Sequence, residues 1–168
     1  MPNKYLTIDK NKKIKIIKWY DLIKSSKKNN KNDILEIIDQ SINLRTRSDV
    51  NLGILLSGGI DSSFLTSRLN ILKNKFEIFH CSSTDKEFDE SYYAKLLTKS
   101  LKKGLNIKKP SKEEFWQNVY KVCYLQDEPF GSPSIFMQYF ILEEAKKINF
   151  RVILDGQGAD ELFLGYKK

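Results

Sequence analysis

The fold of this chain is decided by residues 54–63, which read ILLSGGIDSS. A short apolar run is followed by a turn of small residues and by the polar start of an amphipathic segment, a pattern that predicts a strand, a tight turn and a helix. Because Gly58 and Gly59 carry no side chain, backbone N–H groups of the turn can face an anion, and the N-terminus of the helix adds its positive end. The segment therefore predicts a cradle for a polyphosphate.

Two features separate this cradle from the phosphate loop of the common kinase-type NTPases. The segment lacks the Lys and the longer glycine spacing of that loop. It also places an acid, Asp61, inside an anion site. A carboxylate is compatible with phosphates when a cation lies between them, and Mg²⁺ is the usual one.

A second pattern of strand, glycine turn and acid lies near the end of the sequence, where residues 152–163 read VILDGQGADELF. The carboxyl ends of neighbouring parallel strands lie at one edge of a sheet, and ligands bind at that edge. We therefore expect the two turns to lie side by side, with Asp61 and Asp160 sharing one Mg²⁺ over the same pyrophosphate.

The two motifs together resemble the synthetase domain of the glutamine-hydrolysing asparagine synthases, a member of the ATP-pyrophosphatase group of α/β nucleotide hydrolases. The resemblance is carried by SGGIDSS at 57–63 and DGQGADELFLGY at 155–166. The segments FDESYYA at 88–94 and DEPFGSPS at 127–134 are similar to segments of the same family, in the same order. SGGxDS is shared with other ATP pyrophosphatases, and its pairing with GxGADE narrows the resemblance to the asparagine-synthase type.

The resemblance implies an ATP-dependent amide-forming synthetase with glutamine as the amido donor. In the family, the side-chain carboxylate of aspartate attacks the α-phosphorus of ATP, pyrophosphate leaves, and ammonia then displaces AMP from the acyl-adenylate. Dense hydrogen-bond donors and Mg²⁺ stabilise the leaving pyrophosphate in such a reaction. The implied cofactors are ATP and Mg²⁺.

Carried over position by position, the resemblance implies catalytic roles for Asp61, Asp160 and Gln157, and metal binding by the two aspartates. The positions implied for the nucleotide are Leu55, Ser57, Gly58, Gly59, Asp61, Ser62, Cys81, Asp155 and Gly156. Three of them, Leu55, Cys81 and Gly156, match positions that line the adenosine pocket. Asp155 takes a place often held by Ser, from which backbone groups reach the nucleotide.

Two positions depart from the family pattern. Gln157 stands where many members have a Glu that is placed to accept a proton from incoming ammonia, and a Gln side chain has no basicity for that task. The sequence therefore predicts ATP binding and leaves the acceptor carboxylate open. Leu164 replaces the first Gly of the usual Gly-Gly-Tyr.

The predicted domain organisation has two parts. Residues 1–32 are basic and are expected to be irregular, and they resemble the connector between the glutaminase and synthetase domains of the family. Residues 33–168 are predicted to be the N-terminal part of a synthetase domain. Because the sequence ends soon after Tyr166, and Pro2 stands where the glutaminase has its nucleophilic Cys, we expect a truncated, split or degenerate module. It would need a glutaminase domain and the remaining synthetase half, in cis or in trans, and would make little amide alone.

Apolar periodicity predicts the secondary structure. The predicted strands span 52–56, 76–81, 105–107 and 151–154, and the predicted helices span 33–47, 62–72, 89–103, 112–125 and 134–147. Strands that alternate with helices imply an α/β fold with a doubly wound, mostly parallel sheet and helices on both faces, incomplete at the C-terminus. In the second of these helices, Phe64, Leu65 and Leu69 are expected to face the core.

Composition excludes several classes of protein. The formal net charge is +8, but the excess is nearly all Lys scattered through every segment, so nucleic acid is not an expected partner. No apolar run approaches the ~20 residues that span a membrane, and the first residues lack the apolar core of a signal peptide, so we expect a cytoplasmic protein. Cys81 and Cys123 form no CxxC pair and are predicted to be reduced core residues rather than zinc ligands.

Two other interpretations remain open. Another ATP pyrophosphatase, such as a tRNA-modifying adenylating enzyme, would place catalytic cysteines near the nucleotide, and an inactive remnant would retain the fold without the activity. His80, the only histidine, is predicted to be structural at the end of a strand. Asp127 and Glu128 form either a second acidic site or a turn before Pro129.

Overall fold

In the computed structural model of the chain, residues 3–25, 31–72 and 74–166 are described. They fall into two compact units, with the boundary in sequence between Ile38 and Asp39. Pro2, which stands where the glutaminase domain of the family has its nucleophilic Cys, lies outside the described residues. The predicted domain boundary after residue 32 stays a prediction.

The first unit contains an antiparallel hairpin. β1 (Lys4–Ile8) pairs with β2 (Ile14–Lys18), with Ile8 opposite Ile14. Asp9 closes the turn, because its Oδ1 accepts hydrogen bonds from two backbone N–H groups of the turn at 2.8 and 2.9 Å. The expectation that this part of the chain is irregular is therefore wrong for residues 4–18.

Two helices follow the hairpin in sequence, α1 (Leu22–Ser25) and α2 (Lys31–Arg45), and the boundary between the units falls within α2. The second unit then continues with β3 (Leu52–Leu55), α3 (Ile60–Ile71), β4 (Glu77–Cys81), α4 (Ser91–Ser100), β5 (Asn106–Lys108), α5 (Lys112–Gln126), α6 (Ser134–Lys147), β6 (Val152–Leu154) and α7 (Ala159–Phe163).

The four strands of the second unit form one parallel sheet in the order β5-β4-β3-β6. β3 is paired on one side with β4 and on the other with β6, so that Ile54 lies beside both Ile78 and Leu154. The carboxyl ends of β3 and β6 are therefore neighbours. This confirms the parallel sheet and the side-by-side arrangement of the two glycine turns.

Helices pack on both faces of this sheet, as expected for a doubly wound α/β fold. Successive side chains of a strand point to opposite faces. On β4, Phe79 packs with Ile141 and Ala145 of α6, whereas His80 reaches Ser91 at the start of α4. The sheet centre is apolar, and burial of each Ile or Leu there contributes about 1.5–3 kcal/mol.

The predicted elements of the second unit agree with the observed ones to within a few residues, but one predicted core residue is wrong. Leu69 is buried and Leu65 half-buried, whereas the Phe64 side chain is 39% exposed. The buried stripe of α3 runs through Ser62, Thr66 and Leu69, and Phe64 lies two residues from Ser62, on the opposite side of the helix. Within the described ranges, no helix is both long and apolar enough to cross a membrane.

Candidate functional site

Two glycines shape the loop between β3 and α3. Gly58 has a φ of +106°, and a Cβ at this position would lie 2.8 Å from the backbone oxygen of Glu90. A side chain is excluded there both by the left-handed backbone and by the contact. Gly59, the N-cap of α3, has no side chain with which to cap the helix, so that the first N–H groups of α3 are left to other acceptors.

Two serines hold this loop in shape. The hydroxyl oxygens of Ser57 and Ser62 lie 2.9 Å apart. The Ser62 oxygen also accepts a hydrogen bond from the N–H of Ser57, and the Ser57 oxygen accepts one from the N–H of Gly59. Ser62 is buried and Ser57 is exposed, and both hydroxyls make hydrogen bonds within the loop.

The glycine turn after β6 packs directly against the start of α3. A Cβ added to Gly156 would lie 3.1 Å from the backbone nitrogen of Ser62 and 3.4 Å from the Cβ of Asp61. The turn is stabilised by Asp155, whose Oδ1 accepts a hydrogen bond from the N–H of Gln157 at 3.1 Å. The two motifs, which are almost a hundred residues apart in the printed sequence, thus form one surface.

A cavity of about 330 Å³ opens at this surface, and we name it the edge cavity. Of the positions predicted from the sequence, those that line it are Leu55, Ser57, Ser62, Cys81, Asp155 and Gln157. Gly58, Gly59 and Gly156 belong to the turns beside it. Its volume lies at the lower end of the range of about 300–1,000 Å³ that is usual for ligand pockets.

The start of α6 forms a wall of the edge cavity that sequence reasoning missed. The additional lining residues are Leu56, Phe79, Ser134, Ile135, Met137, Gln138 and Ile141. The segment DEPFGSPS at 127–134 could have indicated this wall, because it resembles a segment of the family and ends at the first residue of α6. Within it, Asp127 has a φ of +61° at the C-cap of α5, which favours the turn rather than a second acidic site.

Cys81 contributes an apolar side chain to the edge cavity rather than a reactive thiolate. Burial raises the pKa of its thiol to about 12, so that the group is protonated at neutral pH. Its Sγ lies 3.9 Å from the Sδ of Met137. This environment is unlike that of a catalytic cysteine, which needs a lowered pKa.

The two predicted metal ligands lie at the starts of helices. Asp61 is in the first turn of α3 and Asp160 is in the first turn of α7, and neither residue lines the edge cavity. In the described part of the chain neither carboxylate has a Lys or Arg partner, although the protein has a large excess of Lys. Among the described residues no three His, Cys, Asp or Glu side chains cluster closely enough to hold a metal ion. Mg²⁺ bound by two carboxylates would therefore complete its shell with phosphate and water oxygens.

The parallel sheet with helices on both faces defines the fold class of this protein as a doubly wound α/β fold of the adenine nucleotide α-hydrolase-like type. The NH3-dependent NAD synthetase of Campylobacter jejuni has the same fold, with a TM-score of 0.52 and 18% identity over 83% of this chain and 62% of that one. The glutamine-dependent NAD⁺ synthetase of Acinetobacter baumannii, solved in complex with ADP, matches with a TM-score of 0.53 and 14% identity over 97% of this chain and 32% of that one.

Sequence comparison gives the family. The model of the asparagine synthase family matches residues 33–168, so the chain belongs to that family. It is 38% identical over 136 residues to asparagine synthetase [glutamine-hydrolyzing] 1 of Bacillus subtilis, a match that covers 80% of this chain and 21% of the relative. A putative asparagine synthetase of Methanocaldococcus jannaschii is 31% identical over 78% of this chain and 25% of its own length. The chain thus spans about a fifth to a quarter of these curated relatives.

Proposed function

We propose that this chain is the nucleotide-binding part of an ATP-dependent amide-forming synthetase of the asparagine-synthase type. The observation that carries the proposal is the packing of Gly156 against Asp61 and Ser62, which joins both motifs beside one cavity. The fold supports ATP as the nucleotide, and the family supports carboxylate amidation as the chemistry.

In the proposed reaction, an oxygen of the substrate carboxylate attacks the α-phosphorus of ATP, and the bond to the bridging oxygen of pyrophosphate breaks. Ammonia then attacks the acyl carbon and AMP leaves, which gives the amide. The N–H groups of Gly58 and of the first turn of α3 bind the phosphates, and Leu55 and Cys81 pack beside the adenosine. Asp61 and Asp160 would hold Mg²⁺, which neutralises the charge of the leaving pyrophosphate.

Aspartate is the proposed acceptor, and a glutaminase domain is the proposed source of ammonia, as the names of the relatives suggest. Gln157 lines the edge cavity but has no basic group, so that a proton released from ammonia must go to water or to another residue. The remaining synthetase segments of the relatives would complete the acceptor site, in cis or in trans. The alternative of a tRNA-modifying enzyme is disfavoured by the half-buried thiol of Cys81, whose pKa is raised rather than lowered.

Calorimetry with ATP, in the presence and absence of Mg²⁺, tests the nucleotide site. We expect the chain to bind ATP·Mg²⁺, and Asp61→Asn or Asp160→Asn to weaken that binding by at least about tenfold, because each removes a metal ligand. Asp49→Asn, which changes an exposed acid just before β3, is the matched control and should bind as the parent does. Binding that is indifferent to both aspartates would contradict the proposal.

Aspartate-dependent release of pyrophosphate tests the acceptor. We expect little release from the chain alone and a large increase when the remaining synthetase segments of a close relative are supplied in trans, because misplaced groups cost orders of magnitude in rate. Release with another carboxylate and none with aspartate would refute aspartate as the acceptor while retaining the nucleotide site.

A further inference from the structure

We propose that His80 is a positioning residue for the phosphate loop, which it holds through the backbone carbonyl of Leu56, the residue directly before Ser57-Gly58-Gly59. The proposal rests on the proposed function of that loop in binding ATP. It assigns a role to the single histidine of the chain, which the proposed chemistry does not use.

The contact lies where the regular pairing of the sheet ends. β3 ends at Leu55, and the N–H of Leu56 still donates a hydrogen bond to the backbone oxygen of Phe79 at 2.8 Å. The other backbone group of Leu56, its carbonyl, lies 2.7 Å from Nδ1 of His80. Because a carbonyl oxygen only accepts hydrogen bonds, Nδ1 carries a proton and donates it. Residues 79 and 80 of β4 thus fix both polar groups of the last residue before the loop.

The ring is itself held from its other side. His80 is only 2% exposed, and its Nε2 lies 3.0 Å from the hydroxyl oxygen of Ser91, the first residue of α4. The Ser91 hydroxyl has one proton, which it donates either to Nε2 or to the carboxylate of Asp89, and that carboxylate also accepts a hydrogen bond from the Ser91 N–H. A buried ring with a partner at each nitrogen has one orientation, so that it can define the position of the Leu56 carbonyl.

The residues that lead into α4 support the loop at a second point. Gly58 lies so close to the backbone oxygen of Glu90 that a Cβ would be 2.8 Å away. Residues 89–91 therefore support the loop at two points. Glu90 contacts Gly58 directly, and Ser91 holds the ring of His80, which contacts Leu56. A loop whose N–H groups are fixed before the ligand arrives loses less entropy on binding and keeps its donors aimed at the phosphates.

Substitutions that keep one ring contact at a time separate positioning from general stability. In His80→Asn the amide nitrogen is attached to Cγ, as Nδ1 is, so it can donate to Leu56. In His80→Gln the amide nitrogen lies further out, near the place of Nε2, and keeps the Ser91 contact instead. His80→Leu keeps neither. We expect ATP·Mg²⁺ affinity of the Asn variant within about threefold of the parent, and a loss of about tenfold or more for Gln and Leu. Unchanged affinity of a folded His80→Leu variant would overturn the proposal.

The parent chain provides a second measurement that needs no variant. With one histidine, the ring nitrogens give a single pair of ¹⁵N resonances. We expect the proton of the neutral ring on Nδ1, where it donates to Leu56, and we expect ATP·Mg²⁺ to shift that resonance. A proton on Nε2, or no response to bound ATP, would refute the positioning role even where the variants fail to fold. If the unmodified chain binds no ATP, the proposed function is contradicted instead. The position of the ring proton would then test only the hydrogen bond between His80 and Leu56.

Discussion

Gly58 is the residue at which backbone conformation and packing restrict the phosphate loop most strongly. We predict that Gly58→Ala destabilises the fold by about 1–3 kcal/mol, because its φ of +106° disfavours an L side chain and the added Cβ meets Glu90. ATP affinity should fall with it, since the loop must move. Gly104→Ala is the control, because no atom lies within 4 Å of its added Cβ, and it should change stability by less than about 0.5 kcal/mol. Equal effects of the two substitutions in urea unfolding would contradict this account.

Leu164, the departure from the family's Gly-Gly-Tyr, has a φ of +60°, in the left-handed region that glycine adopts readily. The structure thus explains the family preference. We predict that Leu164→Gly stabilises the end of α7 by about 0.5–1 kcal/mol, because backbone strain is relieved while some chain entropy is lost. The side chain is 88% exposed, so little apolar contact is lost.

The N–H of Gly165, which donates to the backbone oxygen of Asp160 at 3.1 Å, reports this change. Its hydrogen exchange should slow by about two- to fivefold in Leu164→Gly. Leu162→Gly is a matched control, because it changes an exposed Leu inside the helix, where Gly costs about 1 kcal/mol and should speed exchange.

Among the helices whose N-caps the structure describes, α5 has the most complete one. The Ser111 hydroxyl accepts from the N–H of Glu114, and the Glu114 carboxylate accepts from the N–H of Ser111, a reciprocal capping box. The same carboxylate forms an ion pair with Lys108 at 2.6 Å. The hydrogen bond from Lys108, followed by that from the Ser111 backbone, lowers the pKa of Glu114 below its ordinary value of 4.5.

This lowered pKa predicts a pH dependence of stability. The folded state binds fewer protons at Glu114 than the unfolded state, so its contribution is fully present above about pH 4.5 and is lost as the pH falls through the lower folded pKa. Glu114→Gln keeps the capping hydrogen bond and removes the charge. We expect it to cost about 0.5–1 kcal/mol at neutral pH, because water screens the half-exposed pair, and to flatten the acid limb of the stability curve. Glu128→Gln, in the exposed loop after α5, should leave that limb unchanged.

The elements also show how far the sequence could predict the fold. The strands and helices of the second unit were predicted closely, because apolar periodicity and glycine turns are local signals. The hairpin of residues 4–18 was missed, because nearly all of its side chains are exposed and no alternation marks its strands. The helix α4 ends at Ser100 rather than near residue 103, since Lys102 has a φ of +53° that ends the helix.

The candidate site could be predicted only in part, for a related reason. Both glycine turns were found because each one has its own motif, and their adjacency followed from the rule for parallel strands. The wall formed by α6 was not found, because the packing of Met137 beside Cys81 depends on how a distant helix crosses the sheet. The contact of His80 with Leu56 is also a contact across two strands, which no local pattern in the sequence records.

At the scale of the whole molecule, the site belongs to one compact unit, since every residue proposed for it lies between Leu55 and Asp160. Its two halves come from β3 and β6, which are paired strands far apart in sequence. A ligand that contacts both halves should therefore stabilise the long intervening segment as well as the loops it touches. Joint protection of both glycine turns would therefore distinguish a nucleotide that binds both motifs from one that contacts a single motif.

We predict that ATP·Mg²⁺ at about a hundred times its dissociation constant stabilises the chain by about 2.7 kcal/mol, which raises its melting temperature by about 5–10 °C for a chain of this size. Hydrogen exchange should slow together in residues 57–62 and 155–158, because Gly156 packs on the start of α3 and the two segments open as one. At the same ATP·Mg²⁺ concentration, Asp61→Asn should reduce the stabilisation to about 1.4 kcal/mol or less, because its binding is at least about tenfold weaker, and should reduce the protection with it. Asp49→Asn should retain both effects. Protection confined to residues 57–62, with residues 155–158 exchanging as in the free chain, would mean that the second motif takes no part in nucleotide binding.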